Sequence, residues 1–181
     1  ELLSDIGYTH SKYRGWTLHT ASHNTVVIDQ KVQDTGTKEN PATGRLKFYD
    51  DRNPHVKVMD LDASPAYKSA NQYRRRLIYV HVAEGKDYVI DQFDVQGGST
   101  HDWFLHGLCE EEGQFESSIP VNNSVASLVP SWGGTAKPKN QYEADNEGKR
   151  IHAYGYLRDI KSAEAGNYWT ATWKYSNSGL R

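Results

Sequence analysis

Two side chains near the start of the chain, Asp5 and His23, pair a hard oxygen donor with a borderline nitrogen donor. Together they could share a divalent ion, although a zinc centre takes at least three protein ligands. His23 and Asn24 stand immediately before Thr25, Val26, Val27 and Ile28, with His19 four residues earlier. A polar pair at the mouth of an apolar strand is how a site residue is held on a rigid element. The plainer alternative is that the pair only begins a strand, with Asn24 making a turn hydrogen bond. His10, Tyr13 and Arg14 crowd into the loop that follows Gly7. His101 and His106 bracket D-W-F-L, and positions five apart on one strand point to opposite faces. They cannot line one pocket without a bulge. Arg74, Arg75 and Arg76 read either as a solvated strand start or as a clamp for a carboxylate or sulfate. No nucleophile elbow, phosphate loop, dinucleotide fingerprint or H-E-x-x-H is present.

The elements that would position these groups are strands. Thr25–Ile28 is β-branched throughout, and such residues suit a pleated, half-buried surface. Arg45–Asp50 and Val56–Leu61 alternate apolar and polar, with D-D-R-N-P as the turn between them. Tyr73–Val82 and Tyr88–Val95, joined by A-E-G-K-D, form the clearest hairpin. His101–Cys109, Phe115–Ser118, Ser124–Val129, Arg150–Ile160 and Tyr168–Tyr175 are further strand candidates. Asp29–Gly44 is turn-rich, and Ala63–Asn71 suits a helical turn or a loop. Short strands about ten residues apart predict an all-β, antiparallel β-sandwich with few short helical turns.

Composition narrows the function classes. The chain has 181 residues, enough for one domain or one domain with an extension, and 36% are hydrophobic. A formal net charge of −2 gives no reason to expect nucleic acid or an anionic membrane as partner. No apolar run approaches a membrane-spanning helix. Twelve Tyr and five Trp supply apolar faces with hydrogen-bonding edges, which suit stacking on sugars. Sheet proteins are rich in both residues for packing reasons as well. Cys109 is the single cysteine, so neither an internal disulfide nor a cysteine zinc site can form. The chain opens on Glu1 rather than Met, within an apolar segment, which suggests a mature or excised piece.

The run Y-R-G-W-T-L-H-T-A-S-H-N-T-V-V-I-D, preceded by L-L-S-D-I-G-Y, resembles the heparinase II/III-like polysaccharide lyases. Asp5 and Gly7 match that family's D-x-G turn, Tyr13 and Arg14 its Tyr-Arg pair, and His23 to Asp29 its H-N-T-V-V-x-D strand. The R-R-x-L-x-x-V strand, the Y-V-I-D strand and H-D-W-F-L-H extend the likeness to about residue 110. The resemblance implies a supersandwich-like C-terminal domain spanning 1–181, partnered by an N-terminal α/α-toroid. It implies β-elimination on a uronate-containing polysaccharide in the bacterial periplasm or outside the cell. It places Tyr13, Arg14 and His101 near the substrate and gives Asp5 and His23 to a structural zinc. Their imidazole and carboxylate should then lie close in space. The family's H-x-H-x-D segment is absent, and its catalytic tyrosine belongs to the toroid, so this chain alone is expected to be inactive and to hold zinc weakly. A rival reading is a non-catalytic carbohydrate-binding module, with Trp16, Trp103 and Trp132 as stacking platforms. A third is a purely structural domain.

Overall fold

The hairpin expected around Gly85 is the longest feature of the computed structural model, which describes residues 4–5, 14–109, 111–125, 128, 151–157 and 159–175. Its strands are β4 (Ala70–Ala83) and β5 (Lys86–Gly97). Gly85 turns the corner at φ +68°, a conformation glycine adopts without steric cost. β2 (Arg45–Asp50) and β3 (Val56–Asp62) complete an antiparallel sheet of order β2-β3-β4-β5. The turn between β2 and β3 is closed by side chains: Asp50 accepts from the Arg52 amide and Asn53 from the His55 amide. β1 (Val26–Ile28) pairs with β6 (His101–Trp103). Val26 and Ile28 pack over Tyr73, Phe93 and Val95 of the sheet, so two β layers enclose the core. The chain is therefore all-β and antiparallel, as the strand spacing predicts.

The chain divides into two compact units, Val26–Asp102 and a second formed by Glu1–Thr25 with Trp103–Arg181. The core of the first centres on Tyr73, which is 4% exposed and donates its hydroxyl to the Val26 carbonyl at 2.6 Å. Tyr67 and Phe93 flank its ring at 5.4 and 5.8 Å between centroids. Gly98 must be glycine: it stands at φ +74°, and a Cβ there would lie 2.3 Å from the Ile28 side chain.

The arginine triplet is consumed inside this unit. Pleating sends Arg74 and Arg76 to one face and Arg75 to the other. Asp60, directly opposite Arg76 in the β3–β4 register, accepts from both Arg74 and Arg76 at 2.6–3.0 Å. Asp60 is only 2% exposed, and the Arg74 hydrogen bonds, seconded by Arg76, hold its carboxyl down at about 2. Arg75 forks onto Asp91 at 2.7–2.8 Å and lies over the Phe93 ring at 4.7 Å. The carboxylates gripped by the triplet are the protein's own.

The second unit is built from shorter pieces. They are α1 (Arg14–Thr17), a 3-10 turn at Thr20–Ser22, the pair β7 (Gly113–Ser117) with β10 (Ala171–Tyr175), and the pair β8 (Asn122–Val125) with β9 (Ile160–Ser162). Two strand expectations are corrected here. Arg150–Ile160 contributes a 3-10 turn, Ile151–Tyr156, and only its last residue enters β9. Ala153, Tyr154 and Gly155 are all buried in this turn, with the Tyr154 ring set edge-on against His19 and Phe104. The strand from His101 ends at Trp103, after which the Phe104 amide still donates to the Thr25 carbonyl. No helix among the described residues is long and apolar enough to cross a membrane.

Candidate functional site

The stretch before β1 is folded by its own polar side chains. His19 caps the 3-10 turn, its Nδ1 accepting from the Ala21 amide at 3.0 Å, and Ser22 donates its hydroxyl to the His19 carbonyl at 2.8 Å. His19 is 2% exposed, with its ring edge-on to Tyr154. It is a packed structural residue. The His23 amide closes the same turn by donating to the Thr20 carbonyl at 3.1 Å. Its backbone is thereby fixed while its side chain points elsewhere.

That side chain meets Asp5. His23 Nδ1 lies 3.0 Å from both Asp5 carboxylate oxygens. The expected closeness of imidazole and carboxylate holds. Asp5 is 59% and His23 34% exposed, so the pair is open to further ligands. A borderline nitrogen facing a hard carboxylate is a donor set that zinc accepts. Among the described residues no third His, Cys, Asp or Glu joins them in a metal-holding group.

Asn24 does more than start a strand. Its amide nitrogen donates to the Ser4 carbonyl at 3.2 Å, and its amide oxygen accepts from the His106 backbone at 2.6 Å. Ser4 in turn accepts from the Cys109 amide through its hydroxyl at 3.0 Å. One Asn thus ties Asp5's neighbour to a segment 82 residues away. His106 completes the corner: its Nε2 donates to the Ala21 carbonyl at 2.9 Å. Its ring stacks on Phe104 at 5.9 Å and meets Trp16 edge-on at 5.8 Å. Burial pushes the His106 imidazole below its ordinary pKa, opposed by the Ala21 hydrogen bond. His106 is a neutral structural support for the loop that carries His23.

Asp29, at the end of the same stretch, is also structural. It stands at φ +53° and accepts from the Ser99 and Thr100 amides at 2.7 and 3.1 Å, which lower its carboxyl pKa. These bonds seat the Gly97–Thr100 turn that leads into His101.

Of the residues expected near substrate, Tyr13 lies outside the described residues, as does Trp132. Arg14 opens α1, and its side chain is outside what is described. His101 starts β6 in the other unit, exposed, with Nε2 2.7 Å from the Gly97 carbonyl. The structure therefore brings Asp5 and His23 together. Asn24, Ser4 and His106 are the residues that sequence reasoning undervalued. The signals available were the adjacency of His23 and Asn24 and the places of Ser4 in L-L-S-D-I-G-Y and His106 in H-D-W-F-L-H, but none of them names the pairing.

The model of the family described as "Heparinase II/III-like, C-terminal" matches residues 1–173. The chain belongs to this family. The match runs well past residue 110, where the motif likeness fades, and takes in β7, the β8–β9 pair and β10 as far as Trp173. Membership places this heparinase II/III-like domain among the polysaccharide lyases and points to a polysaccharide substrate and a larger multidomain parent. No curated protein matches the chain.

Proposed function

We propose that this heparinase II/III-like domain is the β-sandwich part of a lyase that cleaves uronic-acid glycans by β-elimination, working with an N-terminal α/α-toroid. The observation that carries the reading is the Asp5–His23 pair, built at the family's D-x-G and H-N-T-V motifs and braced by Asn24. A uronate C5 proton is too weakly acidic to leave unaided. Neutralising the carboxylate stabilises the enolate-like charge that develops as it is removed. A base then takes the proton, and an acid assists the departing glycosidic oxygen. Arg14 is suited to pair with the uronate carboxylate, and Tyr13 and His101 to hydrogen-bond the sugar. The base and acid are assigned to the toroid.

Asp5 and His23 would hold a zinc ion together with ligands from elsewhere in the parent. With its positions filled by protein, such an ion supplies bracing charge to the loop rather than a Lewis acid for the reaction. Action on extracellular glycan fits a periplasmic or secreted protein.

The test is ultraviolet absorbance of the unsaturated product on uronate polysaccharides. The toroid-bearing parent should turn over, the 181-residue chain should not, and Arg14→Ala should impair the parent. Turnover by the 181-residue chain alone, or an Arg14→Ala parent with unchanged KM and kcat, overturns the assignment. Trp103, 53% exposed on β6, favours a second reading as a glycan-binding module. Glycan binding by the parent without any elimination would select that reading.

A further inference from the structure

A second group of donor side chains stands in the other unit, where no motif announces it. His55, in the turn just before β3, His81 on β4 and Asp87 on β5 meet in one row. Val56 pairs with Val80, and the His81 amide donates to the His55 carbonyl at 2.8 Å, so the two histidines are cross-strand neighbours. His81 pairs directly with Asp87 in the β4–β5 register. Directly opposed residues in an antiparallel sheet present their side chains on one face. The two imidazoles lie nearly parallel, 5.5 Å between centroids and 18° between planes. His81 Nδ1 sits 2.6 Å from Asp87 Oδ1.

That last contact sets the chemistry. A carboxylate that accepts from Nδ1–H fixes the tautomer and leaves Nε2 with its lone pair outward. Metal-binding histidines are prepared in this way, by a carboxylate behind the ring. Asp87 is itself held, since burial and a hydrogen bond to Asp87 raise the Tyr79 phenol. His55 is exposed, and the His81 side chain is 34% exposed, so both rings can turn about their side-chain bonds. As they stand, stacked in parallel, their nitrogens do not converge on one point, and among the described residues no three-ligand metal group is formed. Closing a two-imidazole chelate requires each ring to rotate about its side-chain bonds, on a backbone that the register already holds.

We propose that His55 and His81 bind a first-row divalent cation of the zinc, copper and nickel class through Nε2, with Asp87 as the positioning carboxylate behind His81. Imidazole suits these ions, whereas magnesium and calcium prefer oxygen ligands and would be refused. Water fills the remaining positions. This site is independent of the Asp5–His23 pair and of the lyase reading.

The test is a zinc titration at neutral pH of the full 181-residue chain carrying His23→Ala, which removes the other histidine–carboxylate pair. Imidazole Cε1–H resonances report each histidine. His55 and His81 should shift together and saturate, and equal magnesium should move neither. His55→Ala and His81→Ala should each abolish the response, and Asp87→Asn should weaken zinc binding about 10-fold. His81→Gln, which keeps a polar side chain on the strand, serves beside His81→Ala as a second fold-preserving variant. Resonances unmoved by zinc in the folded chain overturn the proposal. So does an equal response to magnesium, a response that survives loss of either histidine, or undiminished affinity in Asp87→Asn.

Discussion

Three consecutive arginines in the Val26–Asp102 unit and the histidine-rich stretch before it were treated differently by the fold. The arginines sit on a long paired strand, where pleating distributes them to two faces and the register delivers Asp60 and Asp91 to them. Their charge is spent internally. His19 and His23 flank one short turn: His19 is absorbed into a backbone hydrogen bond and aromatic packing, His106 packs onto the turn from a distant segment, and His23 is left facing Asp5 in the open. A charged cluster on a regular sheet is therefore satisfied by its neighbours. On an irregular turn one donor can be fixed at its backbone and released at its side chain, which is what a ligand-binding residue requires.

The comparison can be broken most forcefully at the sheet core. Tyr73→Ala should cost about 4 kcal/mol of stability by denaturant unfolding, because it removes a large buried ring together with its hydroxyl. Tyr73→Phe should cost only about 1 kcal/mol, the Val26 carbonyl losing one donor. Equal losses for the two would mean that the ring packing matters little.

Asp60→Ala comes next, since it leaves two arginines facing each other over a buried position. A fall in Tm of roughly 8 °C is expected at neutral pH. The wild-type contribution has a defined pH window. The folded pKa of about 2 lies below the ordinary 3.8, so the stability is present above 3.8 and lost as pH falls through about 2. An acid unfolding profile identical in Asp60→Asn would refute this assignment.

In the histidine corner, Asn24→Ala should cost about 2 kcal/mol, because the Ser4 carbonyl and the His106 amide both lose their partner. In the parent it should also lower zinc affinity, since Asn24 braces the residue beside Asp5. A variant with native stability and native zinc content would show that the clamp is dispensable.

Smaller still is the titration of His106. Its folded pKa is depressed below the ordinary 6.5, so neutral imidazole is favoured by the fold. The corresponding stability is present above 6.5 and lost as pH falls through the depressed value. His106→Gln should flatten that mildly acidic limb of the stability curve. The smallest effect belongs to the open pair. Without metal, His23→Ala should change stability by less than about 1 kcal/mol, as exposed ion pairs do. In the parent, zinc content should fall in both Asp5→Ala and His23→Ala, and stoichiometric zinc surviving both changes would end the metal assignment.

Period-two patterning and turn residues were enough to determine the antiparallel class, the long hairpin around Gly85 and the β2–β3 turn, because these depend on local backbone preference. The motif order Asp5, Tyr13–Arg14, His23–Asn24 identified the family and paired two of the donors. Local pattern misread Arg150–Ile160, where the burial of Ala153 and Tyr154 beside the aromatic rings of Phe104 and His19 imposed a turn on residues with strand propensity. Only the tertiary structure decided that Asp60 and Asp91 would consume the arginines, that Asn24 would reach His106, and that His55, His81 and Asp87 would share one row. Asn24 and His106 meet across 82 residues by loop closure, and the other pairings depend on the exact strand register, which the pattern of each strand by itself does not specify.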